Sequence, residues 1–176
     1  NDSGMRNLSS MRMVADMGAG WNLGNTLDAL TPTETGWGNP KTTKAMIDEV
    51  AKRGFKTLRI PVSWGRYMGN APNYTIQKAW LDRVEEIVNY GRDNNMYVIV
   101  NIHHDDSWII PTYANLNPVK DKLDKLWTQV ANRFKDYDDY LIFENLNEPR
   151  HQGSAAEWSG GTSEGRDCLN QYHSLF

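Results

Sequence analysis

One thiol, Cys168, is all the chain of 176 residues contains, so an internal disulfide and a cysteine-built metal cluster are both excluded. A lone cysteine leaves the redox compartment open. Long apolar runs are missing as well. None approaches the ~18 residues of a membrane-spanning helix, so no membrane partner is expected. Positive charge is in short supply: 19 Lys and Arg face 22 Asp and Glu, a net charge of −3 that gives a nucleic-acid backbone nothing to hold. No repeat or low-complexity tract interrupts the chain. No leader is recognisable from Asn1 onward, which suits a mature secreted chain or a cytosolic one. What the chain does have is aromatic surface, with seven Trp and eight Tyr. Such rings fill cores and also stack on sugars. The length is that of one domain, 1–176, able to bury roughly 70% of its unfolded surface if it closes.

Short apolar segments alternate with amphipathic ones. Ala19 to Leu23, Thr57 to Val62, Tyr97 to Ile102 and Leu141 to Leu146 read as four strands. Helices are expected at about Thr43 to Arg53 and about Gln77 to Asn94. A third opens with Asn117 as N-cap and Pro118 in the first helical position, and a fourth covers Ser163 to Phe176. The helical stripes are clear: Trp80, Leu81, Val84, Ile87, Val88 and Gly91 share one face, and Val119, Leu123, Leu126, Trp127, Val130 and Phe134 another. Gly54 is placed to stop the first of these helices. Strand–helix alternation predicts βαβ units and a parallel sheet. An open doubly wound sheet is the alternative, but its G-x-G-x-x-G turn is absent. Four units stand where a closed barrel needs eight. The expected class is therefore α/β, the N-terminal half of a (β/α)8 TIM barrel.

In such barrels chemistry gathers where strands end. The four ends carry Asn22 to Thr26, Arg59, Asn101 to Asp105, and Glu144 to Pro149, each with hydrogen-bonding or ionisable groups. Arg59 alternates away from Leu58 and Ile60, and a guanidinium inside a strand needs a carboxylate. A purely structural pair with Glu144 would satisfy it. His103, His104, Asp105 and Asp106 have metal-ligand chemistry. Adjacent strand residues point to opposite faces, however, so no metal is expected. Glu148 before Pro149 reads equally well as an ordinary loop acid.

Taken together, the run Gly20 to Asp28, the strand Leu58-Arg59-Ile60-Pro61-Val62-Ser63-Trp64, the pair His103-His104 and the run Asn147-Glu148-Pro149 resemble glycoside hydrolase family 5, and most of all its bacterial endo-β-1,4-glucanases. The resemblance covers essentially the whole chain. It implies a retaining glycosidase without cofactor, acting on β-glucan polysaccharide and secreted. Glu148 matches the general acid/base and Asn147 the residue that holds the sugar 2-hydroxyl. Arg59 matches the arginine that orients the nucleophile. His103 matches an active-site histidine, with His104 its substrate-binding neighbour and Asn25 a contact on the non-reducing side. Trp158 is read either as a sugar platform on the leaving-group side or as a loop tryptophan packed on the barrel rim.

Retention needs two carboxyl groups about 5–5.5 Å apart, one to donate a proton and one to attack. The family's nucleophile lies on a later strand, and neither Glu157, Glu164 nor Asp167 is assigned that role. The chain is thus expected to lack the nucleophile and to meet a complementary C-terminal half-barrel, or to self-associate through its open strand edges. A xyloglucanase, lichenase or mannanase is the alternative within the family. A non-catalytic carbohydrate-binding or assembly fragment is the alternative outside it.

Overall fold

The apolar segments pair side by side, all parallel and in chain order: β1 (Gly20–Asn22), β2 (Thr57–Ile60), β3 (Tyr97–Asn101) and β4 (Leu141–Glu144). Residues 4–176 are described in this computed structural model, so the reading made at Asn1 lies outside them. Among the described residues the helices are α1 (Ser10–Met17), α2 (Lys44–Lys52), α3 (Lys78–Asp93), α4 (Leu116–Phe134) and α5 (Ser163–Leu175). The expected strand–helix order holds throughout. None of the helices is long and apolar enough to cross a membrane.

Register explains which side chains meet. Trp21, Leu58, Val98 and Leu141 form one row across the sheet, and Asn22, Arg59, Ile99 and Ile142 the next. Side chains alternate between faces. Leu58, Ile60, Val98 and Val100 are fully buried, in one apolar cluster with the inner faces of the helices. Arg59 and Ile99 point to the other face and are half-buried. The two outer strands differ from the inner pair: β1 is exposed along its length and β4 is half-buried throughout.

Three local details depart from expectation. Helix α1 was not foreseen, because it buries no residue and so shows little core signature. Helix α4 begins at Leu116 with Asn115 as its N-cap, so Asn117 is not the cap and Pro118 is the third helical residue. The first four helical N–H groups have no intrahelical acceptor, so proline costs no hydrogen bond anywhere in that turn. The fourth strand ends at Glu144 rather than Leu146. The stop at Gly54 is as expected, with a positive φ of 93° and its N–H donated to the Ala51 carbonyl.

Gly91 lets α3 lie close to the sheet. A Cβ there would stand 2.7 Å from Val98 Cγ2 and 3.3 Å from Leu58 Cδ2, both fully buried side chains. Gly91→Ala should therefore destabilise the protein by about 1–2 kcal/mol. Overpacking of roughly 1–3 kcal/mol outweighs the helix-propensity gain of about 1. Urea denaturation checks this, and a stabilised variant would show that α3 has room to move away.

Candidate active site

Each strand end is stitched to the next by one backbone hydrogen bond. Ser63 N–H donates to the Leu27 carbonyl, His103 N–H to Val62 and Asn147 N–H to Ile102, at 2.8–3.0 Å. Side chains add a second tier. The Ser63 hydroxyl donates to the Asp28 carbonyl and accepts from His104 N–H. The buried Asp105 carboxylate accepts from Trp64 N–H, Gly65 N–H and Trp108 Nε1–H. Burial pushes the Asp105 carboxyl upward, while these donors oppose the shift.

Arg59 is the hub. Its Nε donates to Glu144 Oε2 at 2.8 Å and its Nη2 to Glu144 Oε1 at 2.6 Å, a two-pronged pair that reaches across β3. Nη2 also reaches Asn147 Oδ1 at 3.1 Å, and Nη1 reaches Asn22 Oδ1 at 2.9 Å. The carboxylate that the strand arginine required is therefore Glu144. Burial would raise the Glu144 carboxyl, but hydrogen bonds from Arg59 and Asn101 outweigh it and hold the group below its ordinary 4.5. Arg59 is raised in turn, chiefly by its bonds to Glu144.

The two histidines do not diverge as expected. Strand β3 ends at Asn101, so the alternation rule stops before them, and their rings meet edge to face at 4.5 Å. The carboxylate brought to them is Asp28, not Asp105 or Asp106. His104 Nε2 lies 3.8 Å from Asp28 Oδ2, and donor atoms of Asp28, His103 and His104 fall within 4.8 Å of one another. Among the described residues this trio is the grouping with metal-ligand chemistry. Burial, followed by the neighbouring His104, pushes the His103 imidazole down to about 4, so it is neutral near pH 7.

Glu148 lies just past this hub, exposed, in left-handed backbone with φ 43°. A glutamate held there is strained, a conformation that concentrates at functional sites. Asn25 is also left-handed and exposed, at the β1 end. Trp158 is 72% exposed. The guanidinium of Arg150 sits 4.5 Å from its ring centre and is itself held by Asp106 and Glu157. Thus Glu157 serves that loop, and Glu164 accepts from Tyr113 N–H.

Sequence reading missed Asp28, which comes from a distant loop, and Trp37. The Trp37 indole meets His104 at 5.6 Å, edge-on, and stays 41% exposed. A tryptophan between Gly36 and Gly38 was the available signal. Structure brings Arg59, Asn147, His103 and His104 to one end of the sheet with Glu148 and Asn25, while Trp158 stands on a loop beyond β4.

Comparison with known proteins fits this geometry. The model of Cellulase (glycosyl hydrolase family 5) matches residues 21–176. Endoglucanase B of Clostridium cellulovorans is 58% identical over 97% of this chain and 39% of its own length. The structure of ZgEngAGH5_4 in complex with a cellotriose superimposes with a TM-score of 0.96 at 61% identity, over 98% of this chain and 52% of that one. A GH5-4 broad specificity endoglucanase from Clostridium acetobutylicum gives 0.94 at 58%, over 96% and 51%. Matches also include a xyloglucan-specific endo-β-1,4-glucanase and a lichenase. The chain spans about half the length of the solved structures it matches. Its fold is accordingly the α/β fold of the (β/α)8 barrel over half a barrel's length.

The Arg59–Glu144 pair predicts a signed pH effect. Because the folded Glu144 carboxyl sits below 4.5, its contribution is full above the unfolded value and is lost as pH falls through the folded one. Glu144→Gln should therefore cost most stability near pH 6–7, and the gap from wild type should close below about pH 4.5. Melting temperature against pH measures it. A gap independent of pH would mean that the charge contributes nothing.

Proposed function

The chain belongs to glycoside hydrolase family 5, and on that premise we propose that it is the acid-bearing half of an endo-β-1,4-glucanase that cleaves internal bonds of β-glucans with retention. The observation carrying the reading is the bond from Arg59 to Asn147 Oδ1, immediately before the strained Glu148. That bond fixes the Asn147 amide. Its oxygen faces Arg59, and its Nδ2–H donors, which have no partner among the described residues, are free for a sugar hydroxyl. Hydrogen bonds to the sugar 2-hydroxyl strengthen in an oxocarbenium-like transition state.

In this reading Glu148 protonates the leaving oxygen and then draws a proton from water. Four of the five Arg59 N–H donors are used within the chain, one from Nε, two from Nη2 and one from Nη1. One Nη1–H remains for a nucleophile carboxylate from outside these residues. His103, His104 and Asn25 line the glycone side. Trp37 and the open Trp158 are platforms at either end, since sugar rings stack on exposed indoles. The cellotriose held by ZgEngAGH5_4 supports a β-glucan substrate. A xyloglucan or mixed-linkage backbone is the second reading, supported by the xyloglucan-specific and lichenase relatives. A polysaccharide chain is too large to enter a cell intact and is degraded outside it, which supports secretion.

The remaining half of the barrel is the proposed partner. A groove of about 580 Å3 beside β1, lined by Trp21, Leu23, Pro40, Met46, Ile47 and Val50, is apolar and open. Strand β4 is only half-covered at the other edge. Unpaired parallel strands invite pairing, so residues 1–176 expressed alone should associate beyond 20.1 kDa and leave β-glucan intact. Co-expression with the second half should restore hydrolysis. Light scattering and reducing-sugar release read both, and a monodisperse active 20.1 kDa species would overturn the half-site reading.

In the full-length enzyme, Glu148→Gln should lower turnover of ordinary β-glucans by about 10²–10⁴-fold. A dinitrophenyl cellobioside needs no protonation to leave, so its glycosylation step should keep much of its rate. Equal losses on both substrates, followed by pre-steady-state kinetics, would remove Glu148 from the acid role.

A further inference from the structure

Asn101 is fully buried at the end of β3, and every polar atom of its side chain is engaged. Its Oδ1 accepts from Val62 N–H at 3.2 Å. Its Nδ2 lies 3.1 Å from Glu144 Oε1 and 3.1 Å from His103 Nδ1. The polarity of two of these neighbours is beyond choice: a backbone N–H only donates and an ionised carboxylate only accepts. They fix which end of the amide is oxygen and which is nitrogen. The nitrogen end then faces His103 Nδ1, which has to be the accepting atom. In a neutral imidazole one nitrogen accepts and the other carries the proton. The proton is therefore on Nε2, and Nε2 has no hydrogen-bond partner among the described residues.

We propose that Asn101 is a positioning residue: its amide holds His103 in the Nε2–H tautomer, so that the ring meets the sugar as a hydrogen-bond donor. The part about the sugar rests on the glycosidase reading above; the tautomer itself does not. The ring's surroundings leave it neutral enough for the choice of tautomer to matter. Asp28 and Glu144 favour a charged ring, whereas burial, His104 and Arg59 disfavour it, and the balance falls to neutral. The same assignment bears on the trio of Asp28, His103 and His104. With Nδ1 occupied by an amide and Nε2 protonated, His103 has no lone pair to give a cation, so the trio does not act as a metal centre.

The chain of control runs from Val62 through Asn101 to His103, joining the ends of β2 and β3. The link to Glu144 extends it to β4 and to Arg59. Arg59 and Glu144 therefore help decide a proton position on a ring to which neither of them is hydrogen-bonded. Replacing the amide nitrogen by oxygen reverses the logic. In Asn101→Asp an acceptor faces Nδ1, which draws the proton there and leaves Nε2 as an acceptor.

The test is a long-range 1H–15N correlation on the full-length enzyme labelled with 15N-histidine near pH 7, His103 being assigned by its loss in His103→Asn. The expected result is a protonated Nε2 and a bare Nδ1 in the wild type. In Asn101→Asp the proton should move to Nδ1 and kcat/KM on β-glucan should fall about 10–100-fold, the scale of one misdirected hydrogen bond. The wild-type spectrum decides the assignment even if the variant fails to fold. A proton on Nδ1 in the wild type overturns the proposal. So does an Asn101→Asp enzyme that keeps Nε2–H, or one whose tautomer switches with kcat/KM unchanged. If the wild-type enzyme hydrolyses no β-glucan yet shows Nε2–H, the glycosidase reading fails while the tautomer stands.

Discussion

A guanidinium on the inward face of a parallel sheet is the constraint from which the rest follows. Arg59 follows Leu58 and precedes Ile60, both fully buried under helices, so strand alternation leaves it no direction but inward. A charge placed there has to be answered, and answered with geometry. Glu144 does so from β4, two strands away, through the planar two-pronged pairing that arginine permits. Because β3 lies between, the residue in register with Glu144 has to be small and able to hydrogen-bond. That residue is Asn101. An apolar residue at that position would remove the bond that Glu144 Oε1 accepts from Asn101 Nδ2. The ion pair therefore ties in Asn22 on β1 and Asn101 on β3, and orients Asn147 in the fourth strand's exit loop.

Much of this was legible because it depends on period. Strands with apolar residues in alternation or continuous run, and helices with a 3.6-residue stripe, announce their faces, and the four units appear in the expected order. Arg59 was legible for the same reason: one charge in an apolar strand can only be structural or functional, and it has turned out to be held by the very carboxylate expected of a structural pair. The histidines show where the rule ends. Alternation describes strands, and His103 and His104 lie two and three residues past the last residue of β3, so their rings come together. Asp28 closes the run that begins at Gly20, but its place beside the histidines was not legible, for another reason. Its approach to His104 depends on the Ser63 hydroxyl linking two loops, a contact between residues 35 and 41 positions apart that no local pattern encodes. Asn101 carries no signal of its own, since a terminal amide on a strand looks like any strand end. Helix α1 has the opposite difficulty, being amphipathic but burying nothing.

The division of the core bears on what half a barrel can keep. The apolar cluster lies between the sheet and its helices and includes Leu58, Val98 and Val100 with Val84, Ile87 and Val88. The inward face is different. Ile99 and all of β4 remain half-covered, and β1 is exposed. The helix side of the sheet is thus closed over by packed side chains, whereas the inward face is only partly covered.

The candidate site belongs to the first kind of structure rather than the second. The bonds that aim its side chains are all made within the chain: the backbone stitches at Leu27, Val62 and Ile102, the Asp28–Ser63–His104 bridge, and the Arg59 and Asn101 networks. Hydrogen bonds that are fixed before a ligand arrives need no reordering when it binds, which is what preorganisation means in energetic terms. Glu148 stands apart. It is exposed, its backbone is strained, and no hydrogen bond to its carboxylate is made by the described residues. The polar groups at the strand ends are thus set by bonds among these residues. The carboxyl proposed to transfer a proton is thus the group of the site least constrained by its neighbours, the one whose setting is not fixed by the network around Arg59.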